Sequence, residues 1–220
     1  MPVLSENTDR VQFEGWTLRA RAASVRPARL LVMVHGWTGT EDSMWVFARF
    51  LPENYWVIAP RAPYAAEPSG YSWRSGHADG DGHHTLEALR PSGEALLQLV
   101  DDYSRSVGVD ARLFDLIGFS QGAALVSVVA MLHPERIRKL GILAGFVPRG
   151  MDDLVLQRPL QGKSVFVSHG TLDPLVPVER ARASIKLLER AGAKVTYCEE
   201  EVGHKISSGC VHALTSYLKD

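Results

Sequence analysis

The sequence predicts an α/β fold with a mostly parallel central sheet and helices on both faces. Short apolar runs alternate with amphipathic segments, the pattern of β-α-β units. Several short runs, such as Arg29–Val34 (RLLVMV), are apolar at nearly every position, a signal of buried strands. The chain is 220 residues long, which suits one domain spanning 1–220 and, by size scaling, burial of about 70% of its surface on folding.

The elements follow in order. Residues 12–21, broken by Gly15, read as an opening strand or hairpin, and Arg29–Val34 as a strand ending at His35-Gly36. Ser43–Leu51 reads as a helix stopped by Pro52, and Tyr55–Ala59 as a strand stopped by Pro60. Residues 61–84 hold Pro63, Pro68, Gly70, Gly76, Gly80 and Gly82 with no clean period, so they read as a long irregular excursion, functional or mobile. Residues 85–106 are helical, with Leu96, Leu99, Val100 and Tyr103 on one face and Pro91 marking a start or a kink. Arg112–Ile117, Lys139–Leu143, Ser164–Val167 and Lys194–Cys198 read as strands. Gln121–Leu132, Val178–Ala191 and Ser208–Leu218 read as helices, the second ended by Gly192.

Composition excludes several classes. Lys and Arg total 24 and Asp and Glu total 25, a net charge of −1, without the basic footprint of a nucleic-acid binder or a polybasic membrane patch. The N-terminal MPVLSENTDR has no apolar core of a signal peptide, so a cytoplasmic protein without stable membrane insertion is expected. Two cysteines, Cys198 and Cys210, make no disulfide framework and read as two small buried hydrophobes.

In parallel sheets ligands bind beyond the carboxyl ends of the strands, so the residues just after the strands are the informative ones. Gly118-Phe119-Ser120-Gln121-Gly122 follows one strand and opens an apolar helix, the setting of a nucleophile elbow. A turn that sharp strains Ser120, and side chains at 118 and 122 would collide with neighbouring backbone. A serine hydroxyl needs a base, and the base needs a carboxylate to orient it. In this setting the chain order is Ser, Asp or Glu, then His. Asp173 follows one later strand and His204 the next. Their rivals fit less well. Asp115 lies inside a strand, and Asp152 and Asp153 follow none. His169 breaks the order, and His133 and His212 belong to helices. The backbone N–H of Gln121 and of Trp37, in His35-Gly36-Trp37-Thr38-Gly39, are candidate oxyanion donors.

With these residues in place, the chain resembles the α/β-hydrolase superfamily. More narrowly, it resembles the phospholipase/carboxylesterase family that includes acyl-protein-thioesterase-like enzymes. HGWTG (35–39), GFSQG (118–122), HGTLDPLVPVERA (169–181) and GHKIS (203–207) carry the likeness, which spans nearly the whole chain. The resemblance implies an α/β-hydrolase fold without a large lid domain. It also implies Ser120 as nucleophile, His204 as base, Asp173 as its orienter, Trp37 and Gln121 as oxyanion hole, no cofactor and a homodimer. Leu175 and Val176 become candidate pocket-wall residues by the same likeness. Departures are Ala123, where a second glycine is usual, and Trp37-Thr38-Gly39, where a Gly-Gly-Asp-like stretch is usual. Trp37 beside the oxyanion hole would narrow or reshape the acyl pocket.

The expected activity is hydrolysis of small-molecule, short- to medium-chain carboxylic esters through an acyl-enzyme on Ser120. Acyl thioesterase or lysophospholipase action is the alternative, and a non-catalytic ligand-binding relative is the alternative of another class. Trp73, in the excursion, either lines the substrate cleft or caps the loop. His77, Asp79, Asp81, His83 and His84 have some spacing of a metal site, but their interleaved glycines read better as a solvated loop, and no metal is expected.

Overall fold

The computed structural model describes residues 9–76 and 84–219. The strands are β1 (Asp9–Phe13), β2 (Trp16–Arg21), β3 (Arg29–Val34), β4 (Tyr55–Pro60), β5 (Tyr64–Ala65), β6 (Tyr71–Ser72), β7 (Phe114–Phe119), β8 (Ile137–Leu143), β9 (Ser164–Gly170) and β10 (Lys194–Glu200). The α-helices are α1 (Leu86–Val107), α2 (Gln121–Leu132), α3 (Asp152–Leu156), α4 (Val178–Arg190) and α5 (Ser208–Lys219). Among the described residues the central sheet has eight strands in the order β1-β2-β4-β3-β7-β8-β9-β10. β1 and β2 pair antiparallel, as do β2 and β4, and every pairing from β4 to β10 is parallel. Gly15 turns the opening hairpin with Glu14, both at positive φ, as a two-residue hairpin turn requires.

Strand alternation sorts the core into two faces. Leu30, Val32 and Val34 of β3 join Leu116 of β7, Ile142 of β8 and Val165 of β9 in the cluster covered by α1, α2, α3 and α4. Leu31 and Met33 point the other way, with Val57, Ile117, Phe166 and, from α5, Leu214 and Leu218. α2 has only one partly buried residue because it lies between α1 and the sheet, which explains its apolar composition. Thr85 caps α1 by accepting from the Ala88 N–H, and Gly108 ends it in the left-handed region. Pro91 lies inside this helix rather than at its start.

The predicted helix over Ser43–Leu51 is a shorter 3₁₀ turn over Trp45–Phe50. The excursion contains the small β5–β6 hairpin, and its hydrogen bond from the Tyr71 N–H to Gly39 O ties it to the turn after β3. α3 was not expected from the sequence. Of the His/Asp loop, His77, Asp79, Asp81 and His83 lie outside the described residues.

Cys198 and Cys210 are joined in a disulfide, against the expectation of two separate buried hydrophobes. The chain leaves β10 and doubles back into α5, bringing the two Cα atoms to 5.7 Å, within bridging range. Sequence spacing alone does not reveal that return. Glu200 lies with the two sulfurs, but both are committed to the bond.

Candidate active site

The strand order reverses at β3: β4 lies on one side of it and β7 on the other. The loops after β3 and β7 therefore meet at the switch point, where such sheets bind ligands. Ser120 sits between β7 and α2 at φ 53°, ψ −114°, a conformation that needs support from its surroundings. The flanking glycines provide it. A Cβ on Gly118 would lie 2.3 Å from Gly122 O, and one on Gly122 would lie 2.3 Å from Val34 O and 2.5 Å from His35 O. Only glycine lets β7, the elbow and the end of β3 pack this closely.

Ser120, His204 and Asp173 form one hydrogen-bonded chain. The Ser120 hydroxyl lies 2.9 Å from His204 Nε2, and His204 Nδ1 lies 2.7 Å from Asp173 Oδ2. A carboxylate only accepts, so Nδ1 carries the proton and Nε2 is left to accept from Ser120. Asp173 Oδ1 accepts from the Leu175 and Val176 N–H groups, each at 2.9 Å, which sets its orientation. The Phe119 ring packs 5.0 Å from the imidazole of His204.

The turn after β3 abuts the serine. A Cβ on Gly36 would lie 3.2 Å from Ser120 Cβ. The turn closes through Gly39 N–H to Gly36 O, among the described residues the Trp37 N–H has no acceptor, and Gln121 opens α2 with an N–H that no helical carbonyl reaches. Buried His35 braces this turn: its Nδ1–H donates to Gly36 O at 2.7 Å and its Nε2 accepts from the Ala62 N–H at 3.0 Å. Burial pushes its pKa down to about 4, so the ring is neutral, as both bonds require. Farther along, Arg61 grips buried Glu41 with two bonds of 2.7 Å and holds the carboxyl below its usual range.

A cavity of about 580 Å³ opens on Ser120 and Gln121, within the range of small-molecule sites. Trp37, Leu175 and Val176 line it, the first two largely exposed at 57% and 70%. Trp73 does not line it. It is 0% exposed, its indole N–H donates to His35 O at 2.8 Å, and its ring packs on His35, so it builds the loop from behind. Phe146, His84, Arg74 and Arg180 also line the cavity. Of these, His84 was singled out in the sequence only as part of a loop and Arg180 only as a member of the 169–181 motif; Phe146 and Arg74 carry no motif. A second cavity, of about 500 Å³, lies beyond Phe119 and is lined by Met44, Val46, Phe47, Phe50 and Ile206 among others.

The rival residues have other partners. Asp115 is buried against Arg138 and the Tyr55 hydroxyl. His133 pairs with Glu94 at 3.0 Å, and His212 bonds its own helix. His169 Nε2 lies 2.8 Å from Val176 O and 3.5 Å from Asp173, so it backs the carboxylate without reaching Ser120.

Comparison with known proteins agrees with this architecture. The family model described as phospholipase/carboxylesterase matches residues 19–220. The chain is 26% identical over 204 residues to esterase YpfH of Escherichia coli, covering 88% of this chain and 84% of that one. It is 24% identical over 188 residues to acyl-protein thioesterase 1 of Kluyveromyces lactis, covering 77% and 80%. The crystal structure of the Bacillus cereus carboxylesterase superposes with a TM-score of 0.82 at 22% identity, over 94% of each chain. Among the described residues, no helix is long and apolar enough to cross a membrane.

Proposed function

Because the chain belongs to the phospholipase/carboxylesterase family and is a hydrolase, we propose that it cleaves carboxylic esters of short to medium chain length through an acyl-enzyme on Ser120. The observation that carries the reading is the unbroken chain from the Ser120 hydroxyl through His204 to Asp173, opening on a cavity of small-molecule size. Ser120 Oγ attacks the ester carbonyl carbon while His204 Nε2 takes its proton. Asp173 holds the Nδ1–H and stabilises the imidazolium that forms. The negative charge on the former carbonyl oxygen is met by the N–H groups of Trp37 and Gln121, each worth about 3–4 kcal/mol in such a site. His204 returns the proton to the leaving alcohol. Water then attacks the acyl carbon while His204 Nε2 takes its proton, and the bond to Ser120 Oγ breaks as His204 returns that proton to Oγ, releasing the acid.

Thioesters undergo the same steps, with a thiol as leaving group. The exposed Trp37 and Leu175 leave the cavity mouth open to solvent, which favours small, soluble substrates over long triacylglycerols.

A p-nitrophenyl ester series from acetate to palmitate, on wild type and Ser120→Ala, tests the proposal. Wild type should cleave the shorter esters, and the variant should lose about 10³-fold or more in kcat. Equal cleavage by both proteins would remove Ser120 as the nucleophile. A matching acyl-thioester series separates ester from thioester preference.

A further inference from the structure

The cavity beside Ser120 holds a largely buried cation that no anion among the described residues meets. Arg74 lines the cavity and is 6% exposed. Its backbone N–H donates to Ser72 Oγ at 3.2 Å, but among the described residues nothing accepts from its guanidinium. Three other arginines are each paired with an acid: Arg61 with Glu41, Arg136 with Asp101 and Arg138 with Asp115. A guanidinium that faces a cavity from a largely buried position keeps its donors free for an arriving anion, which meets less competition from water there than at the surface.

The segment bearing Arg74 is held in place against the reacting centre. The Trp73 N–H donates to Gln121 Oε1 at 2.9 Å, and Gln121 Nε2 donates to Ser72 Oγ at 3.1 Å. Arg74 is thus fixed through the side chain of the residue that follows the nucleophile. Arg180 adds a second guanidinium to the lining, 3.6 Å over the Phe146 ring. Among the described residues the lining contains one carboxylate, Glu67, which is exposed, and one imidazole, His84. The charge that these residues bring to the depth of the cavity is therefore positive.

We propose that this cavity selects esters bearing a second, ionised carboxylate, which Arg74 receives as a two-pronged partner with Arg180 beside it, while the ester carbonyl faces Ser120. Half-esters of short dicarboxylic acids have this chemistry. The proposal rests on the reading of Ser120 as the acylated nucleophile.

The test compares monoethyl succinate with ethyl 4-methylpentanoate, in which an isopropyl group replaces the carboxylate. Acid release is followed in a pH-stat. In wild type the half-ester should be preferred in kcat/KM by at least about tenfold, and the preference should shrink as salt is raised. Arg74→Met should cut the preference by about tenfold or more, and Arg180→Met by less. The quantity read is a ratio on one protein, so partial loss of folded enzyme cancels. If Arg74→Met does not fold, inhibition of wild-type turnover of the neutral ester decides: succinate should inhibit and uncharged succinamide should not. A wild-type ratio near one, or a ratio unchanged in Arg74→Met, overturns the proposal. If the neutral ester is cleaved and Ser120 is essential while the ratio stays near one, only the carboxylate preference fails. If neither ester is cleaved and Ser120 stays unlabelled by a fluorophosphonate, the esterase reading fails and takes this proposal with it.

Discussion

Asp173→Asn isolates the orienting role of one oxygen atom. In the wild type, Oδ1 accepts two backbone N–H bonds and Oδ2 accepts the Nδ1–H of His204. An amide side chain here has one accepting and one donating end. The Leu175 and Val176 amides can only donate, so they claim the accepting end. The donating end then faces His204 Nδ1 and forces that nitrogen to accept. The ring must carry its proton on Nε2, pointing at Ser120, and can no longer take the serine proton. The expected loss is about 10³–10⁴-fold in kcat, or about 4–5.5 kcal/mol at 1.36 kcal/mol per decade. KM should stay within about threefold, since the cavity walls keep their places. Thermal stability should change little, because both backbone bonds survive. The assay is p-nitrophenyl acetate hydrolysis beside a melting curve. A variant that keeps more than a tenth of wild-type kcat would refute the tautomer argument. A large fall in melting temperature would show that geometry, not proton placement, had been lost.

Gly122→Ala puts a Cβ 2.3 Å from Val34 O, where backbone must move, so it should destabilise by about 1–3 kcal/mol in urea unfolding and lower esterase activity. Replacing Cys198 and Cys210 together with Ala frees a loop closed over a sequence separation of 12; loop entropy puts the loss near 3 kcal/mol, readable as a lower melting temperature that matches wild type under reductant. His35 has its pKa lowered by burial to about 4 from 6.5. The unfolded chain therefore binds a proton below about pH 6.5 that the folded one refuses until about pH 4. Stability from this group is complete above that window and falls by about 3 kcal/mol as pH drops through it. Urea midpoints between pH 7 and 4 should fall less steeply in His35→Gln than in wild type.

Much of this architecture can be read directly from the chain. Arg29–Val34 and Gln121–Leu132 have the predicted boundaries because a run buried on all sides leaves little choice of element. Ser120, Asp173 and His204 were legible because each follows a strand, and parallel strands deliver their ends to one edge. The features that escaped depend on tertiary contact. For Trp73 the sequence leaves cleft lining and loop capping both open, and only the indole N–H bond to His35 O, which draws it into the core, decides for the second. The Cys198–Cys210 bond depends on how tightly the chain turns between β10 and α5. Arg74 belongs to no motif. Its interest comes from burial beside Ser120 with no acid paired to it among the described residues, a position that only the folded arrangement of Ser72, Trp73 and Gln121 creates.

The central claim is that Ser120 is the activated nucleophile of a hydrolase site. Its most direct test is intact-mass analysis after incubation with a fluorophosphonate, followed by peptide mapping. The account predicts one adduct, on Ser120, formed rapidly in wild type, much more slowly in His204→Ala, and absent in Ser120→Ala. An adduct on another residue, or equal labelling of all three proteins, would contradict it.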